Sequence, residues 1–322
     1  HVHMGKASRA KQDPDRRARI AAQRAAERRR QQLNRFYIAG GSILAVIVVV
    51  VLVIAFGLNG GNPSSSGSSA VSKPPTGAQL TSVINNVTSV PPSVLEKVGA
   101  GSVTSGGSSP LQAIKGGAPL TANGKPEMVY MGAEYCPYCA AERWAMVVAL
   151  SRFGTFSGLA TTHSAAKDGA GNAEPDPNTP TFTFVHAKYT SKYLTFSPVE
   201  METNVPDPKS GTYTKLQTPT SQQQSLITKY DVPPYVPQGY NGSIPFVDFG
   251  NKYMLSGASY DGSVLAGKSW AQIAAALKNP SSPIAQGVDG TANYITAAIC
   301  KMTNNQPATA CTPAVKKIEG GL

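Results

Sequence analysis

The sequence predicts an α/β domain built on a mixed sheet with flanking helices and insertions, carried behind one transmembrane helix. Three observations predict it. Strand-like and helix-like apolar runs alternate between residues 128 and 277, the pattern of helices packed on a sheet. An uncharged apolar run of 23 residues, 36–58, comes before them. The composition, 322 residues with 41% hydrophobic, 31 Gly and 25 Pro, excludes a collagen, a coiled coil and a wholly disordered chain, and leaves room for one sizeable core.

The net charge of +11 invites a nucleic-acid reading until it is mapped. Residues 1–35 hold eleven of the Lys and Arg residues against three acids, so most of the basicity belongs to a tail. No aromatic residue interleaves with those arginines to stack on bases, and nucleic acid is not the expected partner. The 36–58 run, as a helix rising about 1.5 Å per residue, spans roughly 34 Å and can cross a bilayer. Its N-terminal flank is rich in arginine and its C-terminal flank, NGGNPSSSGSS, is uncharged, which places the tail in the cytoplasm and the rest of the chain outside the cell membrane. A cleaved signal peptide is the rival, but the run is too long and begins too deep in the chain. The arginine tail is expected to lie on anionic lipid headgroups. Residues 59–75 contain 6 Ser, 3 Gly and 3 Pro, the composition of a flexible linker.

Residues 76–122 form an N-terminal extension. Leu80, Val83, Ile84 and Val87 have helical spacing, and Pro91-Pro92 ahead of Val94, Leu95 and Val98 marks a second helix start. Asn123-Gly124 is a turn signal that opens the main domain, 123–280. Residues 128–131 read as a buried strand and 139–153 as a helix whose run from Trp144 to Leu150 is apolar all round, so that it must be covered on most sides. A short strand over 158–162, a loop over 167–180 and β-like runs over 182–186 and 193–200 follow. A polar loop over 203–220 leads to a helix ending near Tyr230. Strands 246–249 and 252–255 flank a Gly250-Asn251 turn, and a helix covers 269–277. Residues 281–322 are a helical C-terminal extension.

The chain has four cysteines, and Cys136-Pro137-Tyr138-Cys139 sits where a strand gives way to a helix. A sulfur at a helix start faces unpaired backbone N–H groups and the positive end of the helix dipole, which favours thiolate over thiol and should lower the pKa of Cys136. Two intervening residues let the sulfurs meet within one turn and cycle between dithiol and disulfide. Other readings stand beside this one. The pair is half of many zinc sites, with Cys300 and Cys311 as the other half, although ten residues separate those two. Copper would recruit His163 or His186. A structural 136–139 disulfide would close too small a loop to restrict the unfolded chain. Ser243-Ile244-Pro245-Phe246 puts a proline at the start of an apolar strand; were Ile244-Pro245 cis, the Ile244 backbone would face the cysteines and pair with an extended substrate segment.

On Ala133-Glu134-Tyr135-Cys136-Pro137-Tyr138-Cys139, the run 226–232 (LITKYDV), Ser243-Ile244-Pro245-Phe246, and Gly250 and Gly257, the sequence resembles the thioredoxin superfamily over about residues 124–277. More narrowly, GKPEMVYMGAEYCPYCAAERW is similar to an uncharacterised family of membrane-anchored thioredoxin-like proteins. The resemblance implies a thioredoxin-like sheet, Cys136 as the attacking and more exposed cysteine, Cys139 as the resolving one, and Pro245 as the cis-proline. Two departures stand out. Cys136 and Pro245 lie 109 residues apart, so extra strands or a lid must decorate the fold. The buried Asp that thioredoxins carry on the strand ahead of the motif falls here at about Tyr130. Glu134 and Glu142 flank the motif, either as proton shuttles or as solvated charges on its rim. Cys300 and Cys311 are expected to form a structural disulfide, with a redox relay to Cys136 and Cys139 as the sharper alternative.

The expected activity is thiol–disulfide exchange with exported proteins, needing no metal and no bound cofactor, with a membrane redox partner to restore the pair. The rival is a binding or assembly module whose cysteines are inert or hold a metal. Cys136 partly exposed beside a cis Pro245 would favour exchange; a covered sulfur would favour the module.

Overall fold

A computed structural model describes residues 71–103 and 109–322. The basic tail, the 36–58 span and most of the linker lie outside the described residues, and among the described residues no helix is long and apolar enough to cross a membrane.

The sheet is organised by one strand, β3 (Lys125–Gly132), whose last six residues are all buried. Strand β2 (Thr121–Ala122) forms a hairpin with the start of β3 through Asn123 and Gly124, both at positive φ. The rest of that edge pairs in parallel with β8 (Thr195–Glu200), from Glu127 opposite Thr195 to Gly132 opposite Glu200. On the other side β3 pairs antiparallel with β11 (Phe246–Phe249), which pairs with β12 (Tyr253–Ser256), and β12 with the two-residue β1 (Gln112–Ala113). The mixed α/β sheet expected from the sequence is therefore present.

Period-two alternation splits β3 between two cores. Met128 and Tyr130 join one apolar cluster, Val129 and Met131 the other, because successive side chains leave opposite faces of a strand. The second face is covered by Leu226, Ile227 and Tyr230 of α4 (Ser221–Tyr230), a helix started by a capping box of Thr220 and Gln223. The first face is covered by α3 (Pro137–Leu150), in which every residue but Tyr138 is buried. The all-round apolar helix is covered as it must be: α1 (Gly77–Thr88), β6 (Pro180–Thr183) and the long α6 (Pro283–Met302) pack against it. The two tryptophans lock β6 in place. Trp144 Nε1 donates to the Pro180 carbonyl and Trp270 Nε1, from α5 (Trp270–Ala276), to the Thr181 carbonyl, both at 2.7 Å. At the N-terminal end, α2 (Pro92–Val98) is fixed to α6 by Asn293, whose Nδ2 donates to the Leu95 and Gly99 carbonyls at 2.8 Å. Cys300 near the end of α6 is bonded to Cys311, just ahead of α7 (Pro313–Glu319); the S–S distance is 2.00 Å and both residues are buried.

Three small antiparallel pairs depart from expectation. The strand expected over 158–162 is β5 (Ala160–His163), pairing with β6, and an unexpected strand, β4 (Gly154–Ser157), precedes it and pairs with β7 (Lys188–Ser191). β4 and β5 are parted at Gly158, whose φ of +69° and a carbonyl 2.9 Å from where a Cβ would sit admit only glycine. The segment expected as a polar loop over 203–220 holds a hairpin, β9 (Glu202–Asp207) and β10 (Thr212–Lys215), turning at Gly211. Its sequence is mostly polar, with Val205 and Tyr213 as its apolar residues and a proline in β9, so it shows no sustained apolar alternation; Tyr213 packing and the Gly169 N–H to Thr212 carbonyl bond from the 164–179 loop hold it instead.

Candidate functional site

Cys136 occupies the N-cap of α3, with Pro137 at the first helical position. The Cys139 backbone N–H donates to Cys136 Sγ at 3.2 Å, so one of the helix's free amide donors is spent on the sulfur. On its other side Cys136 Sγ–H points to the Ile244 carbonyl at 3.7 Å, and the Ile244-Pro245 peptide is cis. The loop carrying Ile244 and Pro245 is held by the Gly257 N–H, which donates to the Pro245 carbonyl at 2.9 Å, and by the Gly242 N–H, which donates to the Asp231 carbonyl at 3.0 Å. Burial pushes the Asp231 carboxyl up to about 7, against the opposing pull of the Ser256 hydroxyl and the Ser243 and Gly242 amides. The structure therefore brings Cys136, Cys139, Ile244 and Pro245 together across the end of the β3–β11 pair.

The expectation of an exposed attacking sulfur is corrected. Cys136 is 3% exposed and Cys139 is fully buried. They share a small apolar cluster with Ala133, Tyr135, Ala165 and Tyr213, edged by Tyr138 and Ile244. Ala165 comes from the loop after β5 and Tyr213 from β10, so segments far from the motif in sequence cover the site.

Arg143 follows Cys139 by four residues, one turn further along the same helix face. It is fully buried and makes a two-pronged contact with Glu200 at the end of β8, Nε to Oε1 at 2.8 Å and Nη2 to Oε2 at 2.7 Å, while Nη2 also donates to the Ala133 carbonyl. Burial alone would drive the proton from Arg143; Glu200, with the fields of Tyr130 and Cys139, more than offsets this and holds the guanidinium charged. The guanidinium lies 5.9 Å from the centre of the Tyr130 ring, and the Tyr130 hydroxyl is buried with no hydrogen-bond partner. Burial raises the Tyr130 pKa well above its ordinary value despite Arg143, and the fields of Cys139, Glu200 and Cys136 add to the rise. Space for the hydroxyl comes from Gly132, where a Cβ would lie 2.0 Å from it.

The two flanking acids part company. Glu134 is half-buried and its N–H donates to the Glu202 carbonyl at 2.8 Å, tying the loop ahead of Cys136 to β9. Glu142 is no rim charge: it is fully buried, accepts from the Ser259 N–H at 3.0 Å and the Ser259 hydroxyl at 3.1 Å, and is pushed up to about 7 by that burial. It faces the segment after β12, not the cysteines. Cys300 and Cys311, being bonded to each other, are not available to a zinc set. His163 Nδ1 lies 2.9 Å from the Ser164 carbonyl, and among the described residues no three His, Cys, Asp or Glu side chains gather where a metal would sit.

A family model described as a domain of unknown function, DUF929, matches residues 114–301, more than half of the chain. The chain belongs to the DUF929 family. No curated protein and no solved structure matches it. The span matched to DUF929 holds the cysteine pair, the Arg143–Glu200 pair, both segments that cover the cysteines and the Ile244-Pro245 loop, and ends one residue after Cys300.

Sequence reasoning missed Arg143, Glu200, Tyr213 and Glu174. A signal existed for the first two: the charged Glu142-Arg143 step lies in the helix directly ahead of its all-round apolar run, where a charge needs a partner, and Glu200 closes an apolar strand. No such signal marks Tyr213, whose neighbours in sequence are polar.

Proposed function

We propose that this DUF929 protein is a thiol–disulfide oxidoreductase of the thioredoxin superfamily, held at the outer face of a cell membrane by its 36–58 segment and acting on exported proteins through Cys136 and Cys139. The supporting topology is a parallel β3–α3–β8 unit followed by α4, the β11–β12 hairpin and α5. The observation that carries the reading is the placement of Cys136 at the start of α3, accepting from the Cys139 amide on one side and meeting the Ile244 carbonyl ahead of a cis proline on the other.

In the oxidising direction a client thiolate attacks Cys136 Sγ of the 136–139 disulfide; a client–Cys136 bond forms and Cys139 leaves as a thiolate. A second client thiolate attacks the client sulfur of that mixed disulfide and releases Cys136. The client is oxidised to a disulfide, the pair is reduced to a dithiol, and a redox partner of the same chemical class reoxidises it. The reducing direction is the reverse, with Cys136 attacking a client disulfide and Cys139 releasing the product. Arg143 stands one turn behind Cys139, with its charge balanced by Glu200.

Replacement of Cys139 by Ser tests the reading. C139S protein in cells or extracts should accumulate mixed disulfides through Cys136, visible on non-reducing gels and absent from C136S/C139S. The covered position of Cys136 favours the second reading, a binding module with inert cysteines, and that reading stands if C139S traps nothing.

A further inference from the structure

We propose that Tyr213 is a gate that decides which thiols reach Cys136, and that the two segments carrying it and its partner Glu174 swing aside as one unit. The inference rests on the exchange reading above for its purpose, though not for its geometry.

The cover is built from two segments far apart in sequence. Tyr213 of β10 stacks on Tyr135, the residue before the attacking cysteine, with ring centres 4.0 Å apart and planes 8° from parallel. Its hydroxyl donates to Glu174 Oε1 at 2.6 Å, in the 164–179 loop. That loop also reaches the motif directly, the Ala165 N–H donating to the Tyr135 carbonyl at 2.9 Å. The two segments interlock: the Gly169 N–H donates to the Thr212 carbonyl at 3.0 Å, and a Cβ on Gly169 would lie 2.1 Å from the Asp207 carbonyl oxygen. A force that lifts one segment therefore lifts the other.

The cover is separate from the main cores. Its apolar residues form a cluster of their own with the two cysteines, apart from the clusters on the two faces of the sheet. Opening it breaks a ring stack and a few hydrogen bonds and leaves both large cores intact, which is the signature of a segment that opens locally. The hairpin returns to the sheet where the Leu216 and Gln217 N–H groups donate to the Met201 and Glu200 carbonyls, so its base is fixed and its tip is the part that moves.

Exchange needs the incoming sulfur to meet Cys136 Sγ directly, and a sulfur on a residue 3% exposed cannot be met by one fixed on a folded surface. The gate selects clients whose cysteine lies on a flexible or unfolded segment able to enter past Tyr213.

The test is the alkylation rate of Cys136 in the reduced full-length protein, followed by peptide mass spectrometry with iodoacetamide and with a polyethylene-glycol maleimide. Y213F keeps the ring and loses the bond to Glu174; Y213A removes the stack as well. Both should react faster than wild type, Y213F by several-fold and Y213A by more than tenfold, with the larger gain for the bulky reagent. Rates within twofold of wild type in both variants overturn the gate, and Y213F alone decides if Y213A does not fold. The same variants are then offered a reduced, unfolded client protein and a folded one with a surface thiol. Faster alkylation with no exchange in any variant leaves the gate standing and removes the oxidoreductase reading. Exchange by wild type at the variants' rate, with folded and unfolded clients alike, removes the gate and keeps the oxidoreductase.

Discussion

Arg143 is the residue through which burial, charge and the cysteine pair meet. Its partner Glu200 is as buried as it is, so neither ion has water to fall back on. Replacing Arg143 by Met should lower stability by about 3–5 kcal/mol, because a carboxylate is left alone in an apolar site. R143M/E200L should recover most of that loss, since no charge remains to be buried, and urea unfolding of the three proteins measures it. A double variant no more stable than R143M would show that the pair's packing, not its charge, matters. The sequence shows Arg143 beside Glu142 at the edge of an apolar run; which acid it meets was not legible, because Glu200 lies 57 residues away and reaches it only through the parallel β3–β8 register.

At the level of elements, the helices and the β11–β12 hairpin were legible and the small peripheral strand pairs were not. α1, α2, α4 and α5 lie where apolar spacing, prolines and polar caps put them, since these signals act within a few residues. The β9–β10 hairpin has no local signature, and its contact with the 164–179 loop is a tertiary fact. Removing the capping hydroxyl of α4 with T220A should cost about 1 kcal/mol. The Cys300–Cys311 bond joins the end of α6 to the segment ahead of α7 and closes a short loop. C300A/C311A should lose roughly 2–3 kcal/mol on the chain-entropy account. Because both sulfurs are buried away from solvent, the same double variant should leave the alkylation rate of Cys136 unchanged; a changed rate would revive the relay.

Across the whole molecule, five buried carboxyls share one sign, Glu200 among them, raised by its burial despite Arg143. Burial pushes Glu142, Asp231 and Asp248 up to about 7 and Asp289 up to about 8. In the unfolded chain such groups titrate near 4, so between about pH 4 and pH 8 the folded state binds more protons than the unfolded one. Their contribution to stability is complete below about pH 4 and is lost as pH rises through 7 to 8. Denaturant midpoints should therefore be higher at pH 5 than at pH 8. Asp289, whose two oxygens have no hydrogen-bond partner, is the clearest contributor. D289N should flatten the profile and stabilise the protein at pH 8 relative to wild type; an unchanged slope would mean that Asp289 is not the source.

The sequence alone determined the mixed α/β order, the helix that carries the cysteine pair and the proline opposite it, because each is written in runs of neighbouring residues whose periodicity and turn chemistry act locally. It also determined the charge asymmetry around the 36–58 span, which lies outside the described residues. Only the tertiary structure decided that Cys136 is covered, that Tyr213, held by Glu174, helps cover it, and that Glu142 is a buried brace and not a rim charge. Those outcomes depend on which distant segments fill the space above the helix start, and burial is a property of that filling, invisible in any short stretch of chain.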